Sequence, residues 1–301
     1  MPRVAYVASF PKADETRADP VDAELRSFLA EMRRAGLIDG RNVIVVRRSN
    51  NGLVEQVPAI MRELVEQKVD VIVTSGGPAV WAAAKATDRI AIVGIVDDIG
   101  DMGILDSLAR PGHNVTGVGE TDPALHGKRL QLLKEAAPSI RSIGAICYTQ
   151  GPNDRGAWRR ALDTAGRSLG VAVAWFNVDA GDQYAATFAA IADKRLEAIY
   201  ATPTHVNSTN AATIAAFARE RRLPTIGYPE EGMLLGYWSD DQEAFERTAA
   251  HVKKILAGAR PGDLPFEQPS RFALVINQGT ARAIGVTIPR AMLLRATQVL
   301  G

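Results

Sequence analysis

The turn at residues 74–78 carries the residue types best suited to hold an anion or a polar oxygen. The run Thr74-Ser75-Gly76-Gly77-Pro78 follows an apolar segment that starts at Val69 and precedes an Ala-rich segment of helical length. Glycines let a backbone approach a ligand closely, Ser75 can cap the following helix, and Pro78 suits a first helical turn. Backbone N–H groups and the positive end of a helix dipole would then attract a carboxylate, phosphate or carbonyl oxygen. The alternative is a helix cap without a ligand.

Other polar and aromatic side chains stand where predicted strands end. Ligands of open α/β sheets bind beyond the carboxyl ends of the strands, so this position selects the candidates. In the first half of the chain they are Ser9, Phe10, Asp97, Asp98 and Glu120. In the second half they are Tyr148, Thr202, Thr204, His205 and Tyr228, and Trp238 lies near a predicted crossover.

Several of these candidates have a purely structural alternative. Asp98 can cap a helix from a solvated loop, and His205 can be a neutral capping or surface histidine. Tyr148 and Trp238 can be core aromatics, whereas as ligand contacts they would supply flat walls with a polar edge. Both interpretations stay open at each position.

The elements that must position these residues alternate along the whole chain. Continuous β-branched runs separated by helix-length inserts are typical of a buried parallel sheet. In the first half, strands are predicted at 4–9, 43–47, 69–74, 90–95 and 115–118, and helices at 21–35, 54–67 and 79–86. This order predicts a doubly wound α/β sheet.

Near Glu120 the pattern restarts. Helices are predicted at 123–137, 154–169, 183–194 and 207–221, and strands at 143–148, 171–176, 196–201 and 225–228. A helix at 242–257, a Pro-rich connector and a strand at 272–276 follow. We therefore expect two similar α/β lobes with a cleft between them, and a connector that is either a surface loop or a return across a hinge.

Composition excludes several classes of protein. The chain has 301 residues, is 47% hydrophobic and carries a formal net charge of +1, so it can fill two cores but offers no basic face for nucleic acid. One cysteine excludes an intrachain disulfide, and four separated histidines do not have metal-site spacing. The sequence contains no phosphate loop, nucleophile elbow or dinucleotide fingerprint, so we expect no metal, no cofactor and no catalysis.

Four separated segments together resemble one protein family. They are residues 69–98, 107–117, 127–134, and a closing part made of 254–258, Pro265, 272–277 and 284–289. This combination is similar to the substrate-binding proteins of bacterial ABC importers of the tryptophan- and tyrosine-uptake type. The resemblance implies a type I periplasmic-binding fold, in which two Rossmann-like lobes joined by three hinge crossovers close on one ligand. It implies one lobe from 1–120 and 239–266, and another from 121–238 and 267–301.

The resemblance also implies a function. We expect a monomeric solute-binding protein that presents a small molecule to a membrane permease, in the periplasm or anchored outside the membrane. No signal peptide or lipoprotein cysteine precedes the first strand, so this location depends on the resemblance alone. The alternatives are a ligand-sensing domain and a small-molecule isomerase or transferase on the same doubled fold. An enzyme would need an acid and a base, for which Asp97, Asp98 and His205 are the candidates.

The ligand class follows from two departures from the family. Members often have an aspartate where this chain has Thr204, and Asp-Pro where it has Asp98-Ile99. Desolvating the ammonium of an amino acid is costly unless a carboxylate faces it. Either Asp98 takes this role and the ligand is an apolar or aromatic amino acid, or the ligand is a carboxylate without an amine that Thr204 and His205 contact as neutral donors. The first is our expectation.

Overall fold

The computed structural model describes residues 1–8, 23–50, 54–96, 103–119, 122–147 and 156–301. The strands are β1 Arg3–Ala8, β2 Ile44–Ser49, β3 Val71–Ser75, β4 Ala91–Val96, β5 Val115–Gly119, β6 Ser142–Cys147, β7 Ala172–Asn177, β8 Ile199–Ala201, β9 Thr225–Ile226, β10 Leu235–Ser239, β11 Phe272–Asn277 and β12 Gln298–Leu300. The α-helices are α1 Ala23–Arg34, α2 Val57–Glu66, α3 Gly77–Ala86, α4 Ala124–Ala136, α5 Gly156–Leu169, α6 Tyr184–Asp193, α7 His205–Thr209, α8 Ala211–Glu220, α9 Asp241–Leu256, α10 Gln278–Ile284 and α11 Arg290–Arg295.

The chain forms two compact α/β units, each around a largely parallel sheet. The first contains Met1–Thr121 and Ser239–Arg271, and the second contains Asp122–Trp238 and Phe272–Gly301. The chain therefore passes from one unit to the other three times. Residues 267–271, expected in the second lobe, belong to the first unit, where Glu267 pairs with Val118 of β5.

The first unit is doubly wound. Its sheet has the order β2-β1-β3-β4-β5, and each of these neighbouring pairs is parallel. Alternate residues of a strand face opposite sides, so Val4 and Tyr6 pack toward α1 and α9, while Ala5 and Val7 pack toward α2 and α3. Since all strands run the same way, their carboxyl ends form one edge, where residues 74–78 lie.

The second unit repeats the arrangement around seven strands in the order β12-β11-β10-β9-β8-β6-β7. The strands β6, β7, β8, β9 and β10 are parallel. Tyr200 and Ala145 pack with the buried face of α4, while Ile199 and Ile146 pack with α6 and α8. The carboxyl ends of β8, β9 and β10 again share one edge.

Two local predictions were wrong. The helix predicted over 207–221 is broken into α7 and α8 at Asn210, whose side-chain amide donates to the Val206 carbonyl at 2.8 Å while its backbone leaves helical geometry. Asparagine offers the backbone such a competing partner. The segment Leu235–Ser239, for which no strand was predicted, is a strand of the second sheet.

A buried carboxylate fixes the beginning of α9. Glu243 is 5% exposed, and its Oε2 accepts hydrogen bonds from the backbone N–H groups of Ser270 (2.9 Å) and Arg271 (2.7 Å). Its Oε1 accepts from the Ser270 hydroxyl and from the Arg247 guanidinium, both at 2.6 Å. Burial alone would raise the pKa of Glu243, but these donors outweigh it and hold the pKa at about 2. Glu243 therefore ties α9 to the last residues of the first unit.

Candidate functional site

The carboxyl edge of the first sheet presents the start of α3. Gly76 is the N-cap residue, with φ of 87° and ψ of 137°, and α3 begins at Gly77 with Pro78 in its first turn. A positive φ is available to glycine at little cost, so the turn depends on Gly76. Ser75 is the last residue of β3, and Gly76, which has no side chain, takes the N-cap position. The place of Pro78 in the first turn is confirmed.

Only part of this turn offers backbone donors. The Gly76 N–H donates to the Ile95 carbonyl at 2.8 Å, and the Ala79 N–H donates to the Gly76 carbonyl at 3.1 Å. Pro78 has no N–H. Within the part of the chain that the structure describes, nothing accepts a hydrogen bond from the Gly77 N–H. The predicted site for an anion, which we call the anion seat, therefore consists of the Gly77 N–H and the positive end of the α3 dipole.

Neighbouring residues hold the start of α3 in place. The side chain of Thr74 is buried, and its hydroxyl donates to the Val7 carbonyl of β1 at 3.4 Å. A β-carbon on Gly94 of β4 would lie 2.9 Å from Val80 Cγ2, so this glycine lets α3 pack close to the sheet. Thr74 thus supports the turn, and Ser75, Gly76, Gly77 and Pro78 are half-buried at its surface.

In the second unit, Asn207 organises the segment that follows β8. It is 1% exposed, and its side-chain amide donates to the carbonyls of Ile146 (3.0 Å) and Thr202 (2.9 Å). Its Oδ1 accepts from the Tyr184 hydroxyl at 2.7 Å, and burial raises the pKa of Tyr184. Asn207 and Tyr184 were not among the residues predicted from the sequence. An asparagine two residues after a candidate histidine at a strand end was the available signal.

Thr202 and Thr204 face this network. Thr202 is 1% exposed, and its hydroxyl donates to the Ile146 carbonyl at 2.9 Å. The Thr204 hydroxyl caps α7 by accepting from the Asn207 N–H at 3.4 Å. The structure therefore gives both hydroxyls a supporting role in the strand-end segment.

Tyr228 connects the ends of β8 and β9. Its hydroxyl accepts from the Thr204 N–H and donates to the Thr204 carbonyl, both at 3.1 Å. The ring is half-buried, so it holds the strand-end segment while keeping some exposed surface. Tyr228 and Thr204, which the sequence placed at the same edge, are in contact in the structure.

Trp238 lies near the end of β10 and is half-buried. Its indole extends back over the backbone of Gly236 toward Pro229. The neighbouring Tyr237 instead joins the core, where it stacks on Phe272 with ring centroids 5.6 Å apart.

Further predicted ligand contacts lie outside the described residues. They are Ser9, Phe10, Asp97, Asp98, Glu120 and Tyr148. For His205 the structure describes the backbone, as the first residue of α7. These positions keep the status of predictions.

A buried polar cluster in the second unit was also missed. His126 Nδ1 lies 2.8 Å from the Tyr200 hydroxyl, and the His126 ring packs against Trp158 at a centroid distance of 4.3 Å. One turn along α4, the Arg129 Nε donates to the Tyr237 carbonyl at 2.7 Å. The spacing of His126 and Arg129 on one helix face was a usable signal. The cluster joins the first turns of α4 and α5 to β8, and so stabilises the edge that carries the candidate contacts.

Among the described residues, no group of three or more His, Cys, Asp or Glu side chains is arranged to hold a metal ion. No described helix is long and apolar enough to span a bilayer.

Comparison with known proteins connects this geometry to one family. The family model described as ABC transporter substrate binding protein matches residues 17–300. A curated relative, the tyrosine-binding protein of Clostridioides difficile, is 24% identical over 270 residues, which cover 88% of this chain and 77% of the relative.

Solved structures agree on the fold. A conserved domain protein from Vibrio cholerae matches with a TM-score of 0.87 and 26% identity, and an ABC domain from Streptococcus pneumoniae in complex with L-Trp matches with a TM-score of 0.84 and 23% identity. Each match covers 99% of both chains.

Proposed function

This chain belongs to the family of ABC transporter substrate-binding proteins, and we propose that it is the solute-binding component of an importer for a small carboxylate-bearing molecule. The observation that carries this proposal is the family match, which extends over residues 17–300. In this role the protein binds and releases its ligand without making or breaking a bond. It acts outside the cytoplasmic membrane, as a monomer, and delivers the ligand to a permease.

We propose an aromatic or apolar amino acid as the ligand. The tyrosine-binding relative and the L-Trp complex support this class. The half-buried indole of Trp238 supplies an aromatic surface at the carboxyl edge of the second sheet. Aromatic pairs contribute about 0.5–1.5 kcal/mol beyond their buried area.

The ligand's carboxylate is proposed to bind at the start of α3. The Gly77 N–H has no acceptor among the described residues, and the ten-residue helix behind it places a partial positive charge there. Hydrogen bonds to charged groups contribute about 1.5–3 kcal/mol each. Asp98, which lies outside the described residues, remains the proposed partner of the ammonium group.

Thermal unfolding in the presence of a ligand panel tests the proposal. The panel contains L-tyrosine, L-tryptophan, L-phenylalanine and L-leucine beside their deaminated analogues. A ligand at a hundredfold excess over its Kd should stabilise the protein by about 2.7 kcal/mol. Stabilisation by the amino acids but not by the analogues is the expected result. Equal stabilisation by the analogues, with no effect of Asp98→Asn, would replace the amino acid by a carboxylate without an amine.

A further inference from the structure

Gly236 and Trp238 lie on the same face of β10, because side chains of a strand alternate between its two faces. A β-carbon at position 236 would lie 1.9 Å from Cζ3 and 2.4 Å from Cη2 of the indole. It would also lie 2.7 Å from Cδ of Pro229. The six-membered ring of Trp238 therefore occupies the space that any other side chain at 236 would need.

Trp238 does not have the contacts of a core residue. It belongs to none of the hydrophobic clusters formed by the described residues, whereas its neighbour Tyr237 packs against one of them. Its indole N–H finds no acceptor among the residues that the structure describes. A large ring that is half-buried, held against backbone on one side and without an internal hydrogen bond, is suited to contact a ligand.

We infer that Gly236 is the positioning residue for Trp238, and that the indole held in this way makes the site selective for ligands with a ring. The inference rests on the proposed function and deepens it by naming what sets the preference within the amino acids. Glycine inside a strand otherwise weakens it, and it often marks a place where another group approaches the backbone closely. Here that group is the side chain two residues further along the same strand.

The variant Gly236→Ala tests this role, because its β-carbon forces the indole off the strand. Binding of L-tryptophan and L-tyrosine should then weaken by about three- to tenfold, the range that corresponds to the loss of one aromatic pair. Binding of L-leucine should change less. In a Trp238→Leu background the same alanine should have little further effect on the binding of any of the three amino acids.

Tryptophan fluorescence gives a readout that does not depend on a ligand. The emission of Trp238 is obtained by subtracting the spectrum of a protein that lacks it. Trp238→Leu is subtracted from the unsubstituted protein, and Gly236→Ala/Trp238→Leu is subtracted from Gly236→Ala. In Gly236→Ala this emission should shift to longer wavelength and become more accessible to acrylamide. A matched control is Gly144→Ala in β6 of the same sheet, whose β-carbon would meet the side chains of Ile191 and Leu196 at 3.2–3.3 Å. That control should leave the Trp238 emission unchanged.

The outcomes separate this inference from the proposed function. Unchanged Trp238 emission in Gly236→Ala would overturn the inference. So would a finding that Gly236→Ala weakens L-tryptophan binding by the same factor in the unsubstituted protein and in the Trp238→Leu background. If Gly236→Ala does not fold, recovery of folding in the double variant Gly236→Ala/Trp238→Leu supports the inference, and failure to recover contradicts it. If the unsubstituted protein binds none of the three amino acids, the proposed ligand class and the selectivity fail together, while the fluorescence still decides whether Gly236 positions Trp238.

Discussion

Replacing Gly77 by proline is the sharpest perturbation of the proposed anion seat. Proline removes the one N–H of the turn that has no acceptor among the described residues. It also fits the place, because the first position of a helix favours proline. Proline restricts the preceding residue to extended ψ values, and Gly76 already has a ψ of 137°. Residue 77 also precedes Pro78, which disfavours a helical conformation for a residue with a β-carbon, so Gly77→Pro needs a control variant that carries the same β-carbon but keeps the N–H.

The expected magnitude follows from the bond that is lost. A hydrogen bond to a charged group contributes about 1.5–3 kcal/mol, which corresponds to a loss of affinity of about ten- to 150-fold. The matched control is Gly77→Ala. Alanine keeps the N–H and adds a β-carbon of similar position, and it is also a better helix former than glycine.

Isothermal titration with L-tyrosine and L-tryptophan measures both variants. We expect Gly77→Ala to bind within about threefold of the unsubstituted protein and Gly77→Pro to lose at least tenfold. Circular dichroism and the melting temperature show whether α3 is intact. Equal affinity of a folded Gly77→Pro variant would refute the seat. A similar loss in both variants would assign the effect to crowding by the added carbon atoms.

Three further predictions concern stability. Because the pKa of Glu243 in the folded protein is about 2, below the ordinary value of 4.5, its stabilisation is complete above about pH 4.5 and is lost as the pH falls toward 2. Urea unfolding should show a loss on the order of 2–3 kcal/mol over this interval that is absent from Glu243→Gln. Asn207→Ala should lower the free energy of unfolding by about 3 kcal/mol, since it removes three buried hydrogen bonds, to the carbonyls of Ile146 and Thr202 and from the Tyr184 hydroxyl, whereas Tyr184→Phe should cost about 1 kcal/mol. Arg222 has a φ of 56°, a value that strains residues other than glycine, so Arg222→Gly should raise the free energy of unfolding by up to about 1 kcal/mol. The control Arg219→Gly, inside α8, should lower it by a similar amount. A higher melting temperature for Arg219→Gly than for Arg222→Gly would contradict the backbone argument.

The sequence predicted the parts of the fold that local patterns control. The buried strands β1, β3, β4 and β6 were found within two residues at either end, because parallel strands covered on both faces appear as continuous apolar runs. The strand β10 escaped prediction. Its sequence contains Gly236, and its place in the sheet depends on neighbours that are distant along the chain.

The sequence predicted where the candidate residues lie in the fold but not what they contact. Strand ends identified residues 74–78 and the segment after β8, because the direction of parallel strands brings their carboxyl ends to one edge. The hydrogen-bond partners of each side chain could not be predicted from the sequence. Thr202 and Thr204 use their hydroxyls on the Ile146 carbonyl and the Asn207 N–H, and those contacts exist only after packing.

The cap of α3 shows the same limit. Ser75 has the better side chain for capping, yet Gly76 takes the position because the chain must turn there with a φ of 87°. Side-chain preference for a cap was therefore outweighed by the backbone geometry that the sheet edge imposes.

Native mass spectrometry of the purified protein, followed by identification of any released molecule, tests the central claim most directly. The account predicts one small carboxylate-bearing molecule per chain, an aromatic or apolar amino acid, that exchanges with added L-tyrosine or L-tryptophan at one-to-one stoichiometry. A retained molecule without a carboxylate, or chemical conversion of an added amino acid by the protein, would contradict it.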